Sequence, residues 1–212
     1  ISILLPFHNA ASTIEECLHS IQGQTFGNYE LIAVNDNSSD ASVAILETHA
    51  RDNPKIELRH NPDSGLVSAL NYGLEHCSSQ LIARMDADDR MSPHHLQLQY
   101  DFMQIIPGIT ALGSFARLFP EEIIQAGFRE YMRWQNSCIT PQDIADEIYI
   151  ESPLVHPSVM FRRDPVIQLG GYRVGQFPED YDQWLRIHHT GLQMAKLPEE
   201  LLDWRDYPEC TS

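Results

Sequence analysis

Through the first hundred residues, short apolar runs alternate with segments in which apolar residues recur at helical spacing. Ile1 to Leu5 (ISILL) reads as a buried strand. Ile14, Cys17, Leu18 and Ile21 then fall on one helical face that ends by Gly23, and Ser12-Thr13-Ile14-Glu15 reads as a capping box at its start. Glu30 to Val34 (ELIAV) is a second strand, and Asp40 is placed to cap a helix carrying Val43, Ala44 and Leu46. Ile56 to Leu58 predicts a third strand, Leu66, Ala69, Leu70 and Leu74 the next helix, and Leu81 to Met85 (LIARM) a fourth strand. Ser92-Pro93, a cap followed by proline, opens a helix with Leu96, Tyr100 and Met103. The pattern is that of four βα units on a mostly parallel sheet.

The remainder is less regular. Ile109 to Phe119 predicts one or two strands, and Tyr131 to Ile150 one or two amphipathic helices, with Thr140-Pro141 as a helix start. Ser158 to Phe161 reads as a strand, Glu179 to His189 as a helix closed by Gly191, and Met194 to Leu197 as a last strand. A chain of 212 residues without internal repeats fits one α/β domain. Its expected division is a nucleotide-binding half, 1–105, and an acceptor-binding half, 106–212.

Charge narrows the possible partners. Thirty acidic against 14 basic residues give a formal net charge of −16, a surface that repels nucleic acid and anionic lipid. A protein this acidic that handles an anionic nucleotide must neutralise phosphate locally, which a bound divalent cation achieves. Cys17, Cys77, Cys138 and Cys210 are scattered, with no CxxC pair, so reduced structural thiols are expected rather than a disulfide framework or a zinc site. No run approaches the roughly 18 to 20 apolar residues of a membrane span, and no secretory signal is present. The chain opens at Ile1 without methionine, as an excised piece of a longer protein would.

Three acidic segments carry the candidate chemistry. Arg84-Met85-Asp86-Ala87-Asp88-Asp89 crowds three carboxylates behind an apolar strand, where open α/β sheets bind ligands; a Mg²⁺ or Mn²⁺ ion would relieve the repulsion and hold a diphosphate. Val34 to Asp40 (VNDNSSD) follows another strand, and Asp36 there would accept hydrogen bonds from a base or ribose. Phe177 to Asp182 (FPEDYD) opens a helix whose N-terminus keeps a carboxylate ionised, as a general base requires. Taken singly, each segment also reads as ordinary structure: a solvated acidic turn, an Asx-rich turn, and a helix start with its usual acids.

Together and in order, these segments resemble the family 2 glycosyltransferases from Ile1 to about Arg205. Pro6-Phe7-His8-Asn9 is similar to the opening P-x-Y-N loop, with His8 in the tyrosine's place. Gln24-Thr25-Phe26 with Tyr29 to Ile32 resembles the Q-T-x plus strand signature. Val34 to Asp40 resembles V-D-D-G-S-x-D, with Asn35 and Asn37 replacing an aspartate and a glycine. Asn61, Gly65, Ala69, Asn71 and Gly73 resemble N-x-G-x-x-x-A-x-N-x-G, with two extra residues before Gly65, and Met85 to Asp89 resembles the L-D-A-D-D metal loop. His156 to Arg163, Gly170-Gly171-Tyr172, Glu179 to Arg186 and Trp204-Arg205 are similar to the motifs of the back half.

The resemblance implies the GT-A fold and an inverting, metal-dependent sugar transfer from a nucleotide-sugar, a UDP-sugar by the habit of the family, to a saccharide or lipid-linked acceptor. It implies a donor site of Pro6, Phe7, His8, Asn9, Asp36, Gly65, Asn71, Arg84, Asp86 and Ala87, with His8 stacking where tyrosine would. Asp88 would be the principal ligand of Mn²⁺ or Mg²⁺, with Asp86 facing ribose and metal, and Asp180 would be the catalytic base. His156, Glu179 and Trp134 are candidates near the acceptor; His156 and Trp134 read equally as packing residues. Q-x-x-R-W, the mark of processive synthases, is absent, so a single transfer is expected, in a cytoplasmic enzyme of bacterial surface-polysaccharide assembly at the inner face of the membrane.

Other classes fit less well. A nucleotidyltransferase would bring a Gly-rich basic phosphate loop, and Pro6 to Ser12 has neither feature. A haloacid-dehalogenase-type phosphatase needs a small hydroxyl residue where Arg90 stands, no G-x-G-x-x-G follows the first strand, and Arg90 breaks an EF-hand pattern. A sugar-binding domain without chemistry is disfavoured by the presence of both Asp88 and Asp180.

Overall fold

The protein, described here over residues 1–207 of a computed structural model, is built on one eight-stranded sheet. In chain order the strands are β1 Ser2–Phe7, β2 Glu30–Asn35, β3 Ile56–His60, β4 Leu81–Arg84, β5 Arg90–Met91, β6 Ile109–Phe119, β7 Met160–Arg162 and β8 Gln193–Arg205, ordered across the sheet as β3-β2-β1-β4-β7-β6-β8-β5. Only β7 and β5 oppose the common direction, so the sheet is mostly parallel. Four helices follow the front strands: α1 Ile14–Gln22, α2 Ser42–Asp52, α3 Leu66–His76 and α4 His95–Ile105. The others are α5 Ala126–Ser137, α6 Pro141–Glu147, α7 Arg163–Gln168 and α8 Glu179–His189.

The central strands β1, β2 and β4 are almost wholly buried because both sheet faces are covered there. Ile3, Leu5 and Phe7 of β1, with Leu31 and Ala33 of β2, pack on the side of α1; Leu4, Ile32 and Val34 pack on the side of α3 and α8. Gly73 lets α3 press close, since a Cβ there would stand 2.3 Å from Leu4 Cδ1 and 2.9 Å from Val34 Cγ2. Strand order reverses at β1: β2 and β3 lie to one side of it and β4 to the other. The carboxyl ends of β1, β2 and β4 therefore open onto one crevice, the binding position of open α/β sheets.

Several local expectations are corrected. The expected box from Ser12 to Glu15 does not form: the N-cap is Thr13, whose hydroxyl donates to Ala10 O, and no side-chain cap bond is made. Asp40 is not the N-cap of α2, a place taken by Ala41; its carboxylate instead accepts from the amides of Ser42 and Ala11, each at 2.9 Å, and so ties α2 to the loop after β1. Ser92-Pro93 forms a turn and α4 begins at His95, because Arg90–Met91 is first drawn into the sheet as β5 against β8. His156–Ser158 is a 3₁₀ turn, with β7 starting only at Met160. The last strand continues past Leu197 to Arg205 through a register shift, with Ser114 opposite Leu197 but Phe115 opposite Glu200, as the missing N–H of Pro198 demands. Thr140-Pro141 starts α6 as expected, and Thr140 does so through a full capping box with Asp143. Cys17, Cys77 and Cys138 are buried free thiols; Cys210 lies outside the described residues. No helix among the described residues is long and apolar enough to cross a membrane.

Candidate active site

Two adjoining cavities occupy the crevice. The first, of about 260 Å³, is floored by Pro6, Phe7, His8 and Asn9 after β1, Asp36 after β2, and Asp86, Ala87 and Asp88 after β4. Its loops are held by their own polar atoms. His8 Nδ1–H donates to Asp36 O at 2.6 Å while Nε2 accepts from Asn9 Nδ2 at 2.9 Å, which fixes the ring at the cavity wall. The Asp36 carboxylate accepts from Asn61 Nδ2 and from Gly65 N, both at 2.9 Å; Gly65 reaches it from a positive φ of 97°, a backbone region that suits glycine. Asn37 has φ 57°, so asparagine does here what glycine does in the resembled motif.

In the acidic loop, carboxylate oxygens of Asp86, Asp88 and Asp89 lie within 4.8 Å of one another. Burial, then the neighbouring charge of Asp86, pushes the carboxyl of Asp88 above its usual range; burial and both neighbours push Asp89 well above it. One cation answers from the protein: the guanidinium of Arg84, nearly fully buried, pairs with Asp86. Arg205 steadies the loop from below, its backbone N donating to Asp89 Oδ1 at 2.8 Å and its Nε to Asp88 O at 2.7 Å. Among the described residues, Asp89 Oδ2 is buried without a hydrogen-bond partner. Three crowded carboxylates, two of them driven toward protonation and one carrying an orphaned oxygen, form an all-oxygen donor set that fits a hard divalent cation.

The second cavity, also of about 260 Å³, shares Leu66 and Asp86 with the first and is closed by Arg84, Tyr131, His156, Glu179, Asp180 and Trp204. Asp180 and Glu179 sit in the first turn of α8. Burial raises the Asp180 carboxyl above its usual range, while His156, whose Nδ1 is 3.6 Å from Glu179 Oε1, holds Glu179 below it. His156 Nε2 accepts from the Tyr172 hydroxyl at 3.0 Å and is buried against Trp184. One carboxylate is thus poised to accept a proton and its neighbour is kept as a charged anchor.

Most expected site residues therefore converge on the two cavities. Asn71 and Trp134 line neither. Asn71 bonds the backbone of Tyr172 twice, at 2.8 and 2.9 Å, and Trp134 packs in the core with its indole donating to Glu147 at 2.9 Å. Gly65 acts through Asp36. The sequence reading missed Leu66, Tyr131 and Tyr207. Tyr207 Oη donates to Asp88 Oδ2 at 3.0 Å from 119 positions away, a contact with no local sequence signal; Tyr131 was legible only as a helix residue.

The sequence model of the family described as "Glycosyl transferase family 2" matches residues 2–170. The amylovoran biosynthesis glycosyltransferase AmsE of Erwinia amylovora is 31% identical over 207 residues, 96% of this chain and 75% of the relative. Among solved structures, residues 1–349 of S. aureus TarS in complex with UDP-GlcNAc superpose with a TM-score of 0.80 at 16% identity, covering 97% of this chain and 58% of that one. The mannosyltransferase PcManGT from Pyrobaculum calidifontis, in complex with GDP-Man and Mn²⁺, gives a TM-score of 0.76 at 19% identity, covering 96% and 56%. The chain thus spans less than two thirds of either solved structure, and at these identities they speak to the fold, which is GT-A.

Proposed function

The chain belongs to glycosyl transferase family 2, and from that premise we propose that it transfers a single sugar from a UDP-sugar to a hydroxyl of a saccharide or lipid-linked acceptor, with inversion at the anomeric carbon. The observation that carries the reading is the junction of the two cavities at Asp86 and Leu66: an acidic, loop-lined pocket on one side and, on the other, a half-buried aspartate whose carboxyl desolvation holds above its usual range. A donor lying along the strand ends would present its anomeric carbon at that junction, and an acceptor would enter from the side of Asp180.

In this reading Pro6, Phe7, His8, Asn9 and Asp36 bind the nucleoside, and Ala87 with the Gly65-braced loop shapes the path of the diphosphate. Asp88 and Asp86 would hold Mn²⁺ or Mg²⁺, which when bound supplies charge for the departing nucleoside diphosphate. Arg84 fixes the carboxylate of Asp86 from beneath. Asp180 takes the proton of the attacking hydroxyl; its raised affinity for protons suits a general base. Glu179, kept ionised by His156, is placed to accept a hydrogen bond from the acceptor sugar, and Tyr131 with Trp204 offers it aromatic surface. Attack from the Asp180 side, opposite the leaving nucleotide, inverts the anomeric centre. Relatives named for amylovoran biosynthesis and for O-antigen biosynthesis support a place in bacterial surface-polysaccharide assembly, which on this reading takes place at the cytoplasmic face of the membrane.

The test is product stereochemistry. With α-configured UDP-sugars, Mn²⁺ and an oligosaccharide acceptor series, proton NMR of the new linkage should show the β anomer. An α linkage would refute inversion and remove Asp180 from the role of base.

A further inference from the structure

Away from the crevice, Glu15 and His19 stand one turn apart on α1 and meet His49 of α2. A carboxylate oxygen of Glu15 and one ring nitrogen from each histidine lie within 4.8 Å of one another. The two imidazole rings are 5.5 Å apart and nearly edge-on. Among the described residues, neither the Glu15 carboxylate nor the His19 ring has a hydrogen-bond or ion-pair partner, so their lone pairs are free. His49 is oriented by Gln22, whose Nε2 lies 3.0 Å from Nδ1.

We propose that Glu15, His19 and His49 form a second metal site, separate from the acidic loop, that takes a zinc-type transition cation and clamps α1 to α2. Two imidazoles and one carboxylate, with a fourth position for water, are a donor set that borderline-soft Zn²⁺ occupies tetrahedrally. The acidic loop offers oxygen alone and suits Mg²⁺ or Mn²⁺, so the two sites sort cations by ligand chemistry. Bonds of about 2.0 to 2.1 Å in a tetrahedron put ligand atoms roughly 3.3 Å apart; side-chain rotation of the exposed Glu15 and His19 closes the remaining gap without moving either helix.

The clamp bears on the rest of the molecule through α1. Glu16 pairs with Arg90 and Arg205, and Cys17 Sγ donates to Asp86 O at 3.3 Å, so the helix that would carry the zinc also backs the acidic loop. Occupancy would stiffen that wall without entering the crevice. The inference does not depend on the reaction proposed above.

The test titrates Zn²⁺ alone into the chain by calorimetry, with excess Mg²⁺ to hold the acidic loop, and follows melting temperature in parallel. One Zn²⁺ should bind and raise the melting temperature; His19→Ala and Glu15→Gln, both exposed and safe for folding, should each weaken binding at least about tenfold and abolish the shift. Asp88→Asn should keep both effects. Unchanged Zn²⁺ affinity in His19→Ala and Glu15→Gln, or its loss in Asp88→Asn, would overturn the site.

Discussion

Asp180 and Glu179 are adjacent carboxylates pushed apart in proton affinity, the first raised by burial and the second lowered by His156. Divided environments of this kind mark acid and base roles. Because the working form of Asp180 is the anion, turnover should fall as the pH drops through its raised value, at higher pH than an ordinary aspartate would give. Asp180→Asn should cut kcat by about a hundredfold or more while leaving UDP affinity intact, and should remove that acidic limb from the residual rate. A kcat within a few-fold of the parent, with the limb preserved, would move the base elsewhere. Asp86, Asp88 and Asp180 could be found in the sequence because acidic residues at strand ends and a helix start form short local patterns. Tyr207 and Tyr131 could not, since their roles come from long-range placement against residues with which they share no spacing.

The loop carrying Gly170, Gly171 and Tyr172 is stitched to α3 by a single side chain. Asn71 accepts from Tyr172 N and donates to Tyr172 O across 101 positions, and Gly171, at φ 64°, leaves space that a Cβ 2.6 Å from Asn71 Oδ1 would take. Through Tyr172 the stitch reaches His156 and Glu179, so Asn71 serves the second cavity without touching it. Asn71→Ala should lower stability by about 1 to 3 kcal/mol, read from urea unfolding, since it strands two backbone groups. It should lower turnover more than nucleotide affinity; a drop confined to nucleotide affinity would return Asn71 to the donor site. The βα units of the front half were legible because β1, β2 and β4 are buried on both faces and the helices on one. Ile109–Phe119 and Glu179–His189 of the back half were legible too, but the sheet edge beyond β6 was not. The two-residue β5 has no periodicity of its own, and β8 crosses Pro198 and two glutamates that interrupt its apolar pattern, yet β8 is held by its pairing with β6 and in turn holds β5 at its other edge.

At the scale of the molecule, a chain of net charge −16 has gathered carboxylates at the mouth where an anionic nucleotide would enter. On the proposed reading, that arrangement would repel the ligand without a cation and with one would hold the diphosphate where the strand order reverses. The composition raised this expectation, and the strand order gathers the carboxylates in one crevice. The measurement that tests it most directly is calorimetric titration of UDP into the protein and its Asp88→Asn variant, with Mn²⁺ or with chelator. The account predicts binding to the parent with Mn²⁺, at least about tenfold weaker binding with chelator, and no Mn²⁺ enhancement in Asp88→Asn. Equal UDP affinity in all four titrations would contradict it.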